Sequence, residues 1–127
     1  MAIRTELVLR LQNSPGTVAR VCQALADERV NILALSLEAS GTFRAVVDNH
    51  IHAAGILRER QYDVLERDVL YATIPNDPGA FAGIGRLLSD ARINIEYAYG
   101  SGIEGEPMAA LIIGVDDVQR ASAASGI

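Results

Sequence analysis

Two short segments carry the side chains that could bind a small polar ligand. Each has an asparagine, one intervening residue and Pro-Gly, and each is followed downstream by an Asn-Ile pair. An asparagine amide offers both a donor and an acceptor, and glycine lets a ligand approach the backbone without a Cβ in the way. The candidate ligand-binding residues are Asn13, Ser14, Pro15, Gly16 and Asn31 in the first copy, and Asn76, Asp77, Pro78, Gly79 and Asn94 in the second.

Both Pro-Gly segments are predicted to stand at the start of a helix. Proline suits the first helical position, where its missing N–H has no intrahelical partner, and Ser14 and Asp77 are then N-cap candidates. Open amides and the positive end of a helix dipole attract a carboxylate, while Asp77 or Glu96 could pair with an ammonium group. These groups suit a small ligand that carries both a carboxylate and an ammonium group, as a free amino acid does.

These residues also have purely structural explanations. Capping alone accounts for Ser14 and Asp77, and a local turn accounts for the loop asparagines Asn13 and Asn76. The asparagine of each Asn-Ile pair is harder to explain structurally, because asparagine is disfavoured in strands. Both interpretations stay open for the loops, and a ligand role is favoured for the strand asparagines.

The two segments belong to a duplication. Residues 13–32 laid on residues 76–95, at a constant offset of 63, give nine identities in twenty positions, where unrelated sequences would give roughly one or two. A self-match at a fixed offset indicates a repeated supersecondary unit. We therefore predict two modules, residues 1–66 and 67–127, joined by a charged junction at 66–68 that is too short to be a flexible linker.

Each module has the same predicted order of elements. An alternating strand precedes the loop, an amphipathic helix follows it, and a β-hairpin, a second helix and a fourth strand come next. The fourth strand is predicted at 62–65 in the first module. In the second it would begin about where the sequence stops, at Ile127, so that module is expected to lack its last strand.

This order is the split βαβ pattern of an α+β, ferredoxin-like βαββαβ fold. Two such modules predict a side-by-side antiparallel sheet with all helices on one face. Three leucines of the first hairpin share one parity and are expected to cover the opposite, open face, where an aliphatic patch calls for a partner surface. These leucines, Leu33, Leu35 and Leu37, are called the β2 leucine row.

Finer details are also predicted. The first helix of each module presents an apolar stripe, and the second helix of the first module, capped by Asp48 or Asn49, turns apolar residues inward. The second hairpin has an acidic, glycine-rich turn at 101–106 that is about three residues longer than its counterpart. The expected stripes are Val18, Val21, Cys22 and Leu25; Phe81, Ile84 and Leu88; and Ile51, Ala54, Ile56 and Leu57.

The combination of a strand, Asn-x-Pro-Gly, an amphipathic helix and Val-Asn-Ile or Ile-Asn-Ile, occurring twice, resembles the ACT domain. The resemblance covers nearly the whole chain as two tandem ACT modules. It implies an effector amino acid bound where the strand–helix loop of one module meets the second strand of its neighbour. Serine-sensing members have a histidine two places before the loop asparagine, where this chain has Leu11 and Ile74, so a less polar surround is expected.

Composition and charge exclude several other classes. A net charge of −5 argues against nucleic acid or an anionic membrane as a partner, and no signal peptide or membrane span is recognised, so a cytoplasmic protein is expected. Cys22, the only cysteine, is predicted to be a buried, inert thiol. His50 and His52 show no metal-ligand pattern, and no cofactor or metal site is predicted.

Three functions are compatible with this sequence, in decreasing order of support. The first is a non-catalytic regulator that senses a free amino acid and forms a homo-oligomer, expected to be a dimer, through the open sheet face. The alternative is an interaction subunit that binds a metabolic enzyme, as in acetolactate synthase assemblies, without binding a ligand itself. An enzyme is disfavoured, because no nucleophile lies beside a plausible base and the loops lack the arginine that an acylphosphatase needs.

Overall fold

The computed structural model describes residues 1–124 and contains six strands and four helices within them. The elements are β1 (Ala2–Arg10), α1 (Thr17–Asp27), β2 (Ile32–Leu37), β3 (Thr42–Val47), α2 (His50–Glu59), β4 (Leu65–Pro75), α3 (Ala80–Asp90), β5 (Ile95–Gly102), β6 (Met108–Val115) and α4 (Val118–Ala124). The strands pair in antiparallel fashion. The predicted α+β, ferredoxin-like fold class is confirmed.

The chain forms two compact units. One, here called the N-terminal unit, is Thr5–Arg67; the other, the C-terminal unit, combines Met1–Arg4 with the chain from Asp68 onward. The strand order is β2-β3-β1 within the first unit and β5-β6-β4 within the second. Strand β1 and strand β4 each contribute residues to both units.

Beside β4, the sheet of the C-terminal unit continues with the first residues of the chain. Met1 and Ile3 belong to its hydrophobic core, and the guanidinium of Arg4 lies 5.2 Å from the ring centroid of Tyr71. The strand that the sequence analysis expected to begin near Ile127 lies outside the described residues.

Strand β4 corrects one local prediction. The sequence predicts a strand that ends at Leu65 and a junction at 66–68, but β4 begins at Leu65 and runs to Pro75 without a break. Glu66 and Asp68 are exposed, so their carboxylates stay in water while the backbone remains in the sheet. Charge alone therefore does not end a strand whose charged side chains face solvent.

Each unit has its own aliphatic core on the helix-bearing side of its sheet. In the N-terminal unit Leu7, Leu25 and Phe43 are among the fully buried side chains. Two predicted core positions are wrong: Ile51 is 76% exposed and Phe81 is 46% exposed. In α2 the predicted Ala54, Ile56 and Leu57 are buried, and Ala53 is buried in addition. Asn49, one of the two predicted caps, caps that helix by accepting from His52 N.

A β-bulge corrects the placement of the β2 leucine row. The pairing of β2 with β3 shifts between Ile32 and Ala34, and a shift of one residue exchanges the two faces of a strand. Leu35 and Leu37 consequently pair with Ala45 and Phe43, which belong to the core under the helices. These two leucines do not cover the open face as predicted. They lie on the helix side at an edge strand and remain about half exposed.

The second hairpin is also longer than predicted. Leu37 pairs with Phe43 in the first hairpin, whereas the equivalent Gly100 pairs with Leu111 in the second. The extension is therefore five residues rather than about three, and it lengthens both strands. This longer hairpin reaches Asn76 in the loop before α3.

Candidate functional site

The two Pro-Gly segments form β-turns that stand before the helices. Thr17 N donates to Ser14 O and Ala80 N donates to Asp77 O, and both glycines have φ near 87°. These values describe a type II turn, with proline at its second position and glycine at its third. Proline is therefore outside the helix, which corrects the prediction that it takes the first helical position.

The helix starts are open. Gly16 and Gly79 occupy the N-cap positions of α1 and α3, and within the described residues no side chain makes a cap hydrogen bond to either helix. Ser14 and Asp77 are thus not N-caps as predicted. Because the first amides of a helix have no intrahelical acceptor and carry the positive end of its dipole, each turn presents donors that suit an anion.

At the first loop, residues 13–16, the positively charged guanidinium of Arg20 lies close to the open start of α1. Thr17 is buried; its Oγ1 is 2.9 Å from Ser14 Oγ and accepts from Arg20 Nη2 at 3.4 Å. Sequence reasoning missed Arg20, although its place one turn into α1 was a usable signal. Asn13 is exposed, and the hydrogen bonds of residues 1–124 do not involve its side chain. A cavity of about 50 Å³ behind this loop has room only for roughly one or two waters.

The second loop, residues 76–79, is built differently. Asn76 Nδ2 donates to the carbonyl oxygens of Ile103 and Glu106, both at 2.9 Å, and Asn76 N donates to Pro107 O. Gly102 passes so closely that a Cβ there would stand 2.4 Å from Asn76 Oδ1. Asn76 therefore holds the long hairpin, whereas its counterpart Asn13 remains available to a ligand.

Replacing Asn76 by alanine is expected to lower the free energy of unfolding by about 1–2 kcal/mol, because the carbonyl groups of Ile103 and Glu106 both lose their donor. The matched change Asn13→Ala removes a side chain without intramolecular hydrogen bonds and should stay within about 0.5 kcal/mol of the parent. Urea unfolding of both variants measures the difference. Equal losses of stability in the two variants would show that the hydrogen bonds from Asn76 to the long hairpin do not stabilise the protein.

The strand asparagines lie at the other end of their hairpins. Asn31 N donates to Asp48 Oδ1 at 3.0 Å, and Asn94 N donates to Asp116 Oδ1 at 3.2 Å. Both aspartates return a backbone hydrogen bond to the asparagine carbonyl. The backbone of each asparagine is thus fixed by the same repeated bridge, which leaves both exposed amide side chains outside these bonds.

Loop and strand asparagines do not meet inside one unit. The first loop lies beside Leu37 and Glu38, at the end of β2, whereas Asn31 precedes the first residue of that strand. Six residues of strand separate the two places, a distance of about 20 Å. The loop asparagine and the strand asparagine of this unit are therefore too far apart to contact one amino acid together.

A groove in the C-terminal unit was not predicted. It lies between α3 and β5, has a volume of about 460 Å³ and is lined mainly by apolar side chains. We call it the α3–β5 groove. The signal for it was present in the duplication, because the positions equivalent to Leu35 and Leu37 hold Ala98 and Gly100.

A second cavity of the N-terminal unit is not lined by any of the predicted site residues. It measures about 840 Å³ and lies beside the end of β1, between Arg10 and the segment that leads into β4. Arg58 borders it, but its guanidinium already donates to Val64 O and Glu66 Oε2. Arg58 in this open depression is therefore already paired and is not an additional ligand-binding group for the loops.

Cys22 is half-buried, which corrects the prediction of a buried thiol. Desolvation by burial raises the pKa of Cys22, so the reactive thiolate is scarcer than in an unfolded chain. His52 Nε2 lies 3.8 Å from Glu28 Oε1 on an exposed surface. Within residues 1–124, no three His, Cys, Asp or Glu side chains are grouped so as to hold a metal ion.

Alkylation of Cys22 by iodoacetamide at pH 8 is expected to be several-fold slower in the folded protein than in urea, because the folded pKa is raised. The thiol of the unfolded chain loses its proton first as pH increases, so the contribution of this group to stability should decline above the unfolded pKa. Cys22→Ala should abolish labelling and flatten this alkaline decline. Equal rates in the folded and unfolded states would contradict the assignment.

A family model matches part of the chain. The model "ACT domain" matches residues 5–63, the stretch that runs from Thr5 within β1 through the first loop, α1 and the first hairpin to just beyond α2. No match was found among curated proteins. No helix of the described residues is long and apolar enough to cross a membrane.

Solved structures match nearly the whole chain. Protein BT0572 from Bacteroides thetaiotaomicron is 26% identical with a TM-score of 0.90, over 98% of this chain and 87% of that one. The ligand-free regulatory subunit of aspartate kinase from Thermus thermophilus is 20% identical with a TM-score of 0.72, over 98% and 92%. At 20% identity, the similarity to the aspartate kinase subunit shows only that the two chains share a fold.

Proposed function

We propose that this chain is a non-catalytic regulatory protein with two ACT modules, the second formed by the C-terminal unit, and that it binds a free amino acid. The family match to residues 5–63 supports the first module. The second is supported by the repeated Pro-Gly turns and by the repeated bridges from the strand asparagines to Asp48 and Asp116.

The observation that carries this proposal is the open start of α1 and α3. A type II turn precedes each helix and no side chain of the described residues caps either one, so backbone amides and the helix dipole are available to a carboxylate. At α1 the guanidinium of Arg20 adds positive charge, and at α3 Asp77 is exposed and suits an ammonium group. Together these features match the two charged ends of an amino acid.

The ligand links two modules in this proposal. Since loop and strand asparagines are about 20 Å apart within one unit, an amino acid held by both brings a loop and a strand of different modules together. Burial of the ligand then stabilises that pairing by its differential affinity for the paired state. Occupancy is thereby converted into a change of assembly, which a regulated enzyme or a second copy of the chain detects.

Thermal unfolding in the presence of each of the twenty amino acids tests the proposal, because a ligand that binds the folded state raises the melting temperature. At least one amino acid at a concentration of 10 mM should raise the melting temperature, since a ligand at about 100 times its Kd stabilises the folded state by about 2.7 kcal/mol. Removal of both strand amides, Asn31→Ala with Asn94→Ala, should weaken binding about tenfold or more. Gln119→Ala on the exposed face of α4 is the control. A flat response to all twenty overturns the proposal.

A second candidate function is that of an interaction subunit. The β2 leucine row is 37–49% exposed on an edge strand, and contiguous exposed aliphatic side chains mark association sites. Sedimentation equilibrium should show a dimer that Leu35→Glu dissociates, with Ile51→Glu, also an exposed aliphatic position, as the control. A monomer at all concentrations would eliminate self-association through this row.

A further inference from the structure

The α3–β5 groove exists because three side chains of the N-terminal unit have smaller counterparts in the C-terminal unit. Ala98 and Gly100 pair with Ile113 and Leu111, which belong to or pack against the core under the helices. Their side of β5 therefore faces α3. At the equivalent places the N-terminal unit has Leu35 and Leu37, while Gly85 of α3 replaces Cys22.

The groove is lined by apolar side chains that remain partly exposed to water. Phe81 is 46% exposed and Ile95 is 40% exposed, and among residues 1–124 no charged side chain lines the groove. Its 460 Å³ lies within the range of small-ligand sites, roughly 300–1,000 Å³. An apolar group placed there removes this surface from water, whereas a charged group would lose hydration without a partner.

One end of the groove lies at the open start of α3. Phe81 is the second residue of α3, directly after the turn at Asp77–Ala80, and it lines the groove together with Gly100. Along α3 the lining continues through Ile84 and Gly85. A ligand with a carboxylate at the helix start and an extended apolar group along the helix would fill both features together.

We propose that the amino acid bound at the start of α3 places a large apolar side chain in the α3–β5 groove, so that the effector is a branched-chain or aromatic amino acid. This inference rests on the proposed function and narrows its ligand class. Behind the first loop, the described residues form a cavity of about 50 Å³ bordered by Leu37, which is too small for such a side chain. Selectivity for the side chain therefore resides in the C-terminal unit.

Two substitutions fill the groove from different sides. Ala98→Leu restores the residue of the N-terminal unit on β5, and Gly85→Leu adds a side chain on α3 where a new Cβ meets nothing within 4 Å. Gly83→Leu is the matched control, because it also replaces an open glycine of α3 but does not line the groove. Gly100 is unsuitable, since a Cβ would stand 2.3 Å from Ala110 O.

Calorimetric titration with leucine, isoleucine, phenylalanine, alanine, lysine and aspartate tests the inference. The parent protein should prefer the large apolar amino acids. Ala98→Leu and Gly85→Leu should each raise their Kd about tenfold or more, with Gly83→Leu within about twofold of the parent. Melting curves identify any variant that does not fold, and the two filling variants serve as independent tests.

The outcomes separate this inference from the proposed function. Binding of lysine or aspartate in preference to apolar amino acids, or apolar binding unaffected by either folded filling variant, overturns the groove assignment while the amino-acid sensor stands. Binding of no amino acid by the parent overturns both.

Discussion

Replacing Gly41 by alanine is expected to lower the free energy of unfolding by about 3 kcal/mol or more. Gly41 has φ 92°, where a side chain costs roughly 1–2 kcal/mol, and a Cβ there would stand 2.2 Å from Leu11 O. The backbone has little freedom to relax, because Leu11 N donates to Gly41 O at 2.8 Å. Overpacking of this kind adds about 1–3 kcal/mol.

Gly105 provides the control for Gly41. It has a φ of 87°, yet a Cβ built on it meets nothing within 4 Å. Gly105→Ala should therefore carry only the conformational cost of about 1–2 kcal/mol. Urea unfolding of the two variants separates steric from conformational effects, and similar losses would show that the approach of Gly41 to Leu11 is not a constraint.

Removal of the Arg44 side chain, as in Arg44→Met, is expected to destabilise the protein by about 3–5 kcal/mol. Arg44 Nη1 lies 3.5 Å from Glu6 Oε1, and the Glu6 side chain is fully buried. Without the guanidinium, the buried carboxylate loses the attraction of Arg44, which offsets part of its lost hydration. The β3 strand pairs Arg44 with Val8 of β1, so the loss should act on the core pairing of the N-terminal unit.

A double mutant separates charge from packing at this pair. Glu6→Gln with Arg44→Met removes both charges and should recover a substantial part of the stability lost in Arg44→Met alone. Denaturant unfolding of the parent, both single mutants and the double mutant gives the coupling energy. Strictly additive losses would indicate that the two residues act independently.

The duplication made the fold predictable, whereas local backbone features such as a bulge and a long continuous strand could not be predicted. Two copies of strand, Pro-Gly, amphipathic helix and Asn-Ile were enough to predict four helices and a ferredoxin-like arrangement. The β-bulge after Ile32 could not be predicted, because no side chain there demands it, and it reversed the face of Leu35 and Leu37. The sequence predicts two separate strands where β4 is continuous, because the alternation of apolar residues is interrupted at 66–68. Exposed charged residues are nevertheless compatible with a strand.

The candidate site was predictable in composition but not in the role of each residue. Asn13 and Asn76 are equivalent in sequence, yet only Asn76 is used as a clamp, because the hairpin extension brings Ile103 and Glu106 against it. Arg20 was missed because a basic residue on a helix is ordinarily solvated. The α3–β5 groove was missed because small residues in a strand were interpreted locally instead of being compared with the leucines of the other copy.

The open helix starts are tested most directly by backbone amide NMR. The ¹⁵N-labelled protein is titrated with an equimolar mixture of the twenty amino acids, and the first-turn amides of the two helices are followed. We expect the amides of Val18 and Ala19, of Phe81 and Ala82, or of both pairs to shift and saturate as a carboxylate accepts from one or both helix starts, because Thr17 N and Ala80 N already donate within the turns. Saturable binding that leaves all four amides unchanged, or the absence of any response, would contradict it.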